Sequence, residues 1–182
     1  TSPMQRTLFL RLGIMVFLHY FVWGAWYVTM GTYLDQTLHF EGGQIGLAYG
    51  STAVGALVSP FIVGILADRF FATQRILSFL HLAGAGLLYL VSTLKGFGQF
   101  YPALLAYTVS YMAGHGLTNA LTLHHSKNSA KEFPLVMVMA SVGWIAAGLV
   151  VSWLKVEKSE GMFQLAAGAA LAMGLYSLTL PH

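Results

Sequence analysis

The chain has 182 residues, of which 57% are apolar and only 8% charged, with no cysteine and a formal net charge of +3. Ordinary soluble domains carry roughly a quarter charged residues, so this composition excludes a water-soluble domain and points to lipid as the solvent. The absent thiols exclude disulfides and thiolate metal sites, and the basic residues are scattered through short loops, which speaks against a nucleic-acid partner.

A bilayer core of about 30 Å needs about 20 apolar residues at 1.5 Å rise each. Uncharged stretches run over 12–34, 45–67, 76–94, 96–126, 133–154 and 161–181. They are continuously apolar with Gly and Ala interspersed, not short and alternating, so helices rather than barrel strands satisfy the backbone. The reading is an all-α polytopic membrane protein of six transmembrane helices in one bundle, with spans at about 8–34, 45–67, 75–95, 98–125, 132–154 and 161–181. The first span is too long for a signal-peptide core and is broken by His19. Short loops predict that consecutive helices are antiparallel neighbours.

Counting Lys and Arg in alternate loops places Arg6, Arg11, Arg69, Arg75, Lys127 and Lys131 on one side and Lys95, Lys155 and Lys158 on the other. Both termini are therefore expected in the cytoplasm. Gly46, Gly50, Ser51 and Gly55 in the second span have the spacing of a close helix contact.

Polar groups inside a membrane are costly, so shared helix faces that carry them are functional candidates. In the first span His19, Trp23, Trp26 and Met30 form one stripe. In the fourth, Tyr111, His115, Thr118 and Thr122 do so, with Asn119 adjacent. In the fifth, Met137, Ser141, Trp144 and Gly148 repeat the spacing. Aromatic faces with a few hydroxyls suit a flat solute with polar edges, such as a nucleobase with its ribose. The same spacing also suits interfacial aromatic belts and a His115 that bonds a neighbouring helix. No metal or other cofactor is expected: adjacent His124 and His125 point about 100 degrees apart, and no two histidines stand four apart. Hydrolase chemistry is excluded by the lack of an acidic residue in any span and of a Gly-x-Ser-x-Gly run. Histidine is the only readily titratable side chain at depth, so no carboxylate for proton coupling lies in these spans.

The run Gly64-Ile-Leu-Ala-Asp68-Arg69, followed by Arg75, resembles the loop signature of the major facilitator superfamily, which implies a gating role for Gly64, Asp68, Arg69 and Arg75. Phe71 and Ala72 stand where that signature has a glycine and a basic residue. More extended is the resemblance to bacterial nucleoside permeases of the proton symporter family. It is carried by Trp23-Gly24-Ala25-Trp26, Gly31-Thr32-Tyr33, Phe40-Glu41-Gly42, Ile45-Gly46, Tyr111-Met112, Gly116-Leu117, Asn119, Phe133-Pro134, Gly143-Trp144 and Leu178-Thr179-Leu180-Pro181-His182. The resemblance implies that residues 1–182 are the N-terminal six-helix half of a twelve-helix fold, with the C-terminal half absent. It also implies proton-linked nucleoside uptake by alternating access in the bacterial inner membrane. The partners would be a nucleoside, protons, lipid and a second six-helix bundle.

By position, the family's helix-five hydroxyl becomes Ser141 and its aromatic Trp144. Its arginine becomes Met137, a thioether with no donors, and Ala140 replaces a glycine. Trp26, His115 and Asn119 join these as expected cavity residues. The alternatives are transport of another small polar solute such as a sugar, and a non-transporting structural or engineered membrane bundle.

Overall fold

The computed structural model describes residues 4–69 and 72–181; Phe71 and His182 lie outside them. Every regular element among the described residues is a helix: α1 (Arg6–Tyr27), α2 (Met30–Gln36), α3 (Gly42–Arg69), α4 (Thr73–Thr93), α5 (Phe97–His125), α6 (Ser129–Leu154) and α7 (Gly161–Ser177). The stretches Arg6–Gln36, Gly42–Arg69, Thr73–Thr93 and Ser129–Leu154 are each long and apolar enough to cross a bilayer. At 29 residues α5 is long enough, but His115, Asn119 and several Thr and Ser residues dilute its apolar run, and α7 has 17 residues.

The first predicted span is broken into α1 and α2 at Val28 and Thr29. At the break Gly31 N–H donates to the Tyr49 hydroxyl of α3 at 2.7 Å, so a side chain takes a donor of the first turn of α2. A second interruption is handled locally. Pro60 within α3 cannot supply an N–H to the Ala56 carbonyl, and the Ser59 hydroxyl donates to that oxygen at 3.3 Å.

Apart from α4 and α5, the closest neighbours in space are not neighbours in sequence, which corrects the expectation from loop length. The main pairings are α1 with α6 and α7, α4 with α7 and α5, and α5 with α3, while α3 with α4 and α5 with α6 touch only marginally. The helices thus follow the order α6, α1, α7, α4, α5, α3, bent so that α1 also reaches α5. Short loops fix antiparallel direction, but close approach decides who packs, and it is set by residues without side-chain bulk. A Cβ at Gly143 would collide with the Phe17 carbonyl of α1, and one at Gly55 would lie 2.6 Å from the Thr108 carbonyl of α5. The α3–α5 approach is sealed by the Thr108 hydroxyl, which donates to the Ser51 carbonyl at 3.0 Å. Gly46 and Gly50 meet nothing and face outward, so only the Ser51 and Gly55 end of the expected stripe packs.

Two large apolar clusters fill most of the bundle, with a small third one of Ile76, Leu80 and Ala113 between α4 and α5. One large cluster gathers Trp26, Tyr33, Phe100, Tyr107 and Phe163; the other gathers Leu12, Met15, Val16, Leu77, Val136 and Met173. The outer faces of α3 and α6 remain bare, with Leu57 75%, Phe61 73%, Leu149 67% and Trp153 80% exposed, as lipid or a second bundle would require.

The loop ends sort into two sets. Glu132 receives Met4 N–H on Oε1 at 2.7 Å and Lys127 and Asn128 N–H on Oε2 at 2.7 and 3.1 Å, tying the N-terminal segment to the α5–α6 loop. At the other end Lys95 pairs with Glu160 at 3.6 Å and Thr37 donates to the Lys158 carbonyl. The loop ends thus alternate between the two ends of the bundle.

Gly55→Ala and Gly143→Ala are each expected to lower stability by about 1–3 kcal/mol through overpacking, while Gly46→Ala stays within about 0.5 kcal/mol. Thermal unfolding of the detergent-solubilised variants checks the contrast.

Candidate solute groove and the buried histidine chain

Two members of the fifth-span stripe, Ser141 and Trp144, face an open groove, while Met137 and Gly148 do not line it. Ser141, Trp144, Ala140 and Ile145 of α6 and Tyr20 of α1 line a depression of about 430 Å³. Ser141 is exposed, and its hydroxyl makes no hydrogen bond among the described residues, so both its donor and its acceptors are available. Trp144 is half-buried and meets Trp23 edge-on, with centroids 5.7 Å apart, and Tyr27 at 6.1 Å. Trp23 in turn packs edge-on against Tyr27 at 5.7 Å and tilted on Tyr20 at 6.1 Å. The groove therefore has an aromatic wall running from α1 to α6.

Met137 lies one turn before Ser141 and is half-buried against the lower apolar cluster, not among the groove-lining residues. Trp26 departs from expectation: it is fully buried, edge-on to Tyr107 at 5.7 Å and stacked on Phe163 at 6.1 Å. The stripe logic put Trp26 with His19 and Trp23, but the inner side of that stripe meets α5 and α7 rather than a cavity. Tyr20 was missed because it lies one position beyond His19, off the polar stripe.

Behind the wall stands a feature that spacing did not reveal. His19, His81 and His115, from α1, α4 and α5, are hydrogen-bonded in a row. His19 Nδ1 lies 3.0 Å from His81 Nε2, and His19 Nε2 lies 3.1 Å from His115 Nδ1. His19 is fully buried, His81 is 4% exposed and His115 is half-buried. Tyr111 stacks on His19 with centroids 4.4 Å apart, and its hydroxyl donates to the His19 carbonyl at 2.8 Å. His115 meets Tyr20 and Trp23 edge-on at 5.6 and 5.9 Å, so the histidine row touches the groove wall. Asn119 Nδ2 approaches His115 Nε2 at 3.5 Å, and its buried Oδ1 has no partner. The expected cavity residues His115 and Asn119 thus stand behind the wall. The signal for His81 was its being a lone ionisable residue inside a span.

The imidazole nitrogens point at one another and do not converge on a common point. Among the described residues no cluster suited to a metal ion is present.

The signature residues Gly64, Asp68 and Arg69 occupy the exposed end of α3, and neither Asp68 nor Arg69 has an ion-pair partner among the described residues. Arg75 lines a separate pocket of about 280 Å³ with Leu66, Ile76 and Phe79.

The profile of the nucleoside H+ symporter family matches residues 6–182. The chain belongs to that family. It is 34% identical to the putative nucleoside transporter YegT and to the xanthosine permease of Escherichia coli K12, each match covering 94% of this chain and 42% of the relative. It is 30% identical to the nucleoside permease NupG of the same organism over 95% of this chain. Two crystal structures of nucleoside transporter NupG superpose with TM-scores of 0.90 and 0.88, covering 96% of this chain and 44% of those chains. The chain therefore spans less than half the length of these relatives. The family is one of transporters, not enzymes, and with its apolar helices the chain is an integral membrane protein.

Tyr111→Phe removes the hydroxyl that holds the His19 carbonyl and keeps the stacked ring. It is expected to cost about 0.5–1.5 kcal/mol in detergent unfolding, and Tyr111→Ala several times that.

Proposed function

We propose that this chain is the N-terminal six-helix half of a major-facilitator nucleoside:proton symporter of the bacterial inner membrane, working by alternating access. In this reading α1 and α2 together, and α3 to α7 singly, make six crossings with both termini cytoplasmic. The groove between α1 and α6 is one wall of the solute site, and a second six-helix bundle supplies the other. The observation that carries the reading is the open groove with Ser141 and Trp144 on its surface, in a chain of the nucleoside H+ symporter family. The names of the relatives support the solute class.

The physical roles follow from the groups available. Trp144, with Trp23 and Tyr20 beside it, offers aromatic surface for a nucleobase, and Ser141 offers a hydroxyl for a base or ribose edge. His115 and Asn119 act from behind the wall. Met137 brings no donor to the site, so nucleoside affinity rests on stacking and on Ser141. Gly64, Asp68, Arg69 and Arg75 would latch the cytoplasmic end of α3 and α4 to the opposing bundle, which agrees with the free carboxylate and guanidinium at the end of α3.

The test is uptake of labelled uridine in transport-deficient cells by this chain joined to the C-terminal half of a nucleoside permease. Trp144→Ala is expected to raise the half-saturation concentration about 5- to 150-fold, in line with about 1–3 kcal/mol for one aromatic–base stack. Met137→Arg is expected to lower it, since a charge-assisted hydrogen bond is worth about 1.5–3 kcal/mol. Uptake competed by sugars but not by nucleosides would reassign the solute. Absence of saturable uptake from a correctly inserted protein, with and without Met137→Arg, would remove the transport reading.

A further inference from the structure

The bonds of the histidine row admit only one arrangement of protons in the neutral state. The Leu77 carbonyl can only accept, so His81 Nδ1, 2.9 Å away, carries a proton and donates to it. The neutral His81 ring then has a bare Nε2, which accepts from His19 Nδ1–H. His19 Nε2 is bare in its turn and accepts from His115 Nδ1–H. This leaves His115 Nε2 as the one nitrogen of the row facing no imidazole and no carbonyl, met only by the long contact from Asn119 Nδ2 at 3.5 Å. All three donors point the same way, from the groove wall inward to α4.

From this geometry we propose that His115, His19 and His81 form a proton-binding site with a single mouth at His115 Nε2, and that Asn119 is its gate. A proton arriving at His115 Nε2 forms a new N–H bond. The His115 Nδ1 proton can then pass to His19 Nε2, and the His19 Nδ1 proton to His81 Nε2. Each transfer breaks one N–H bond and makes one, so the row gains one proton and its charge can rest on any of the three rings. The path ends at His81, whose Nδ1–H is held by a carbonyl that cannot take the proton. The void beside His81, lined by Tyr107, Ser110 and Tyr111, is about 10 Å³, at the lower limit for one water, and the His81 ring is buried.

Asn119 is suited to both states. Bonded to a bare His115 Nε2 it presents its amide N–H; once that nitrogen is protonated, a half-turn of the amide offers Oδ1, the buried oxygen that has no partner in the neutral arrangement. The proton acceptor and the groove share a wall, since Tyr20 and Trp23 touch His115 and Trp23 touches Trp144. Charge placed on His115 therefore acts on the surface that a solute meets.

The groups facing the row add no competing charge. From α1 they are Tyr20 and Trp23, and from α5 they are Tyr107 and Tyr111. Along α4 no charged residue stands between Arg75 and Lys95, and along α6 none between Glu132 and Lys155. In α7 the one titratable side chain is Tyr176, which donates to the Arg11 carbonyl at 2.7 Å. In α3 they are Tyr49, whose hydroxyl accepts from Gly31 N–H, and Asp68 and Arg69 at the exposed far end of the helix.

As the seat of the symported proton, this site rests on the proposed transport function; as a proton-binding site it does not. The test uses the chain itself in nanodiscs with ¹⁵N-labelled histidine, followed by ring-nitrogen NMR across pH. At the alkaline end His19, His81 and His115 are expected as Nδ1–H tautomers. On acidification all three signals should move together at one apparent midpoint, because a shared proton gives a property of the row and not of one ring. His19→Phe should abolish the response of His81 while His115 still titrates, and Asn119→Leu should shift the midpoint of the whole row. Mixed tautomers, three independent midpoints, or no protonation of His115 before acid unfolding would overturn the proposal. A shared midpoint in a protein that moves no nucleoside would leave the proton site standing and remove the solute. Nucleoside uptake alongside three independent rings would do the reverse.

Discussion

Hydrocarbon supplies no hydrogen bonds, so every polar atom carried into this bundle must find its partner in its own helix or on a neighbouring one, or keep a cost that nothing outside can relieve. That constraint organises the interior more than apolar packing does, because lipid tails are as apolar as Leu and Val and give helices little reason to prefer each other. The helix pairs that form are those able to bring backbone to backbone, as at Gly55 and Gly143, or to trade hydrogen bonds, as Thr108 does with Ser51 and Ser78 with the Gly174 carbonyl. The histidine row is the same solution at the centre. It ties α1, α4 and α5 together, and Tyr111 braces it from the side.

The two surfaces of α1 show how one helix serves both demands. Its inner side carries Val16, His19, Val22 and Trp26, all fully buried, while Tyr20 lines the groove and Trp23 and Tyr27 back Trp144 on α6. His115 touches both surfaces, through His19 on one side and through Tyr20 and Trp23 on the other. A change in its charge cannot be confined to the interior, since the rings that cover it also border the groove.

Helix class was legible in the sequence because run length and charge scarcity are one-dimensional, and the family because its short motifs keep their order along the chain. The α6 stripe was legible for a similar reason: one helix carries Ser141 and Trp144 at fixed spacing and turns that face outward. What spacing could not give was the partner of each face. His19 and Trp26 share a stripe with Trp23, yet the first two are sealed inside and only the third reaches the wall. The histidine row was hidden because its members are 62 and 96 positions from one another's partners along the chain, and no periodicity links them. Nor could loop lengths show that α1 pairs with α6 rather than with α3, since that choice is made by Gly143 against Phe17.

A proton site made of imidazoles has a consequence that a carboxylate site does not. A buried carboxylate is charged when empty, whereas the neutral histidine row becomes charged only when loaded. In a membrane interior the loaded form is then the costly one, and anything that brings polar groups or electron-rich rings to the groove stabilises it. Trp23 and Tyr20 already border His115, and a polar solute resting against Trp144 would add its own dipoles to that side of the wall. Solute and proton would in this way favour each other's binding without touching, and by linkage the favour is mutual and equal in free energy.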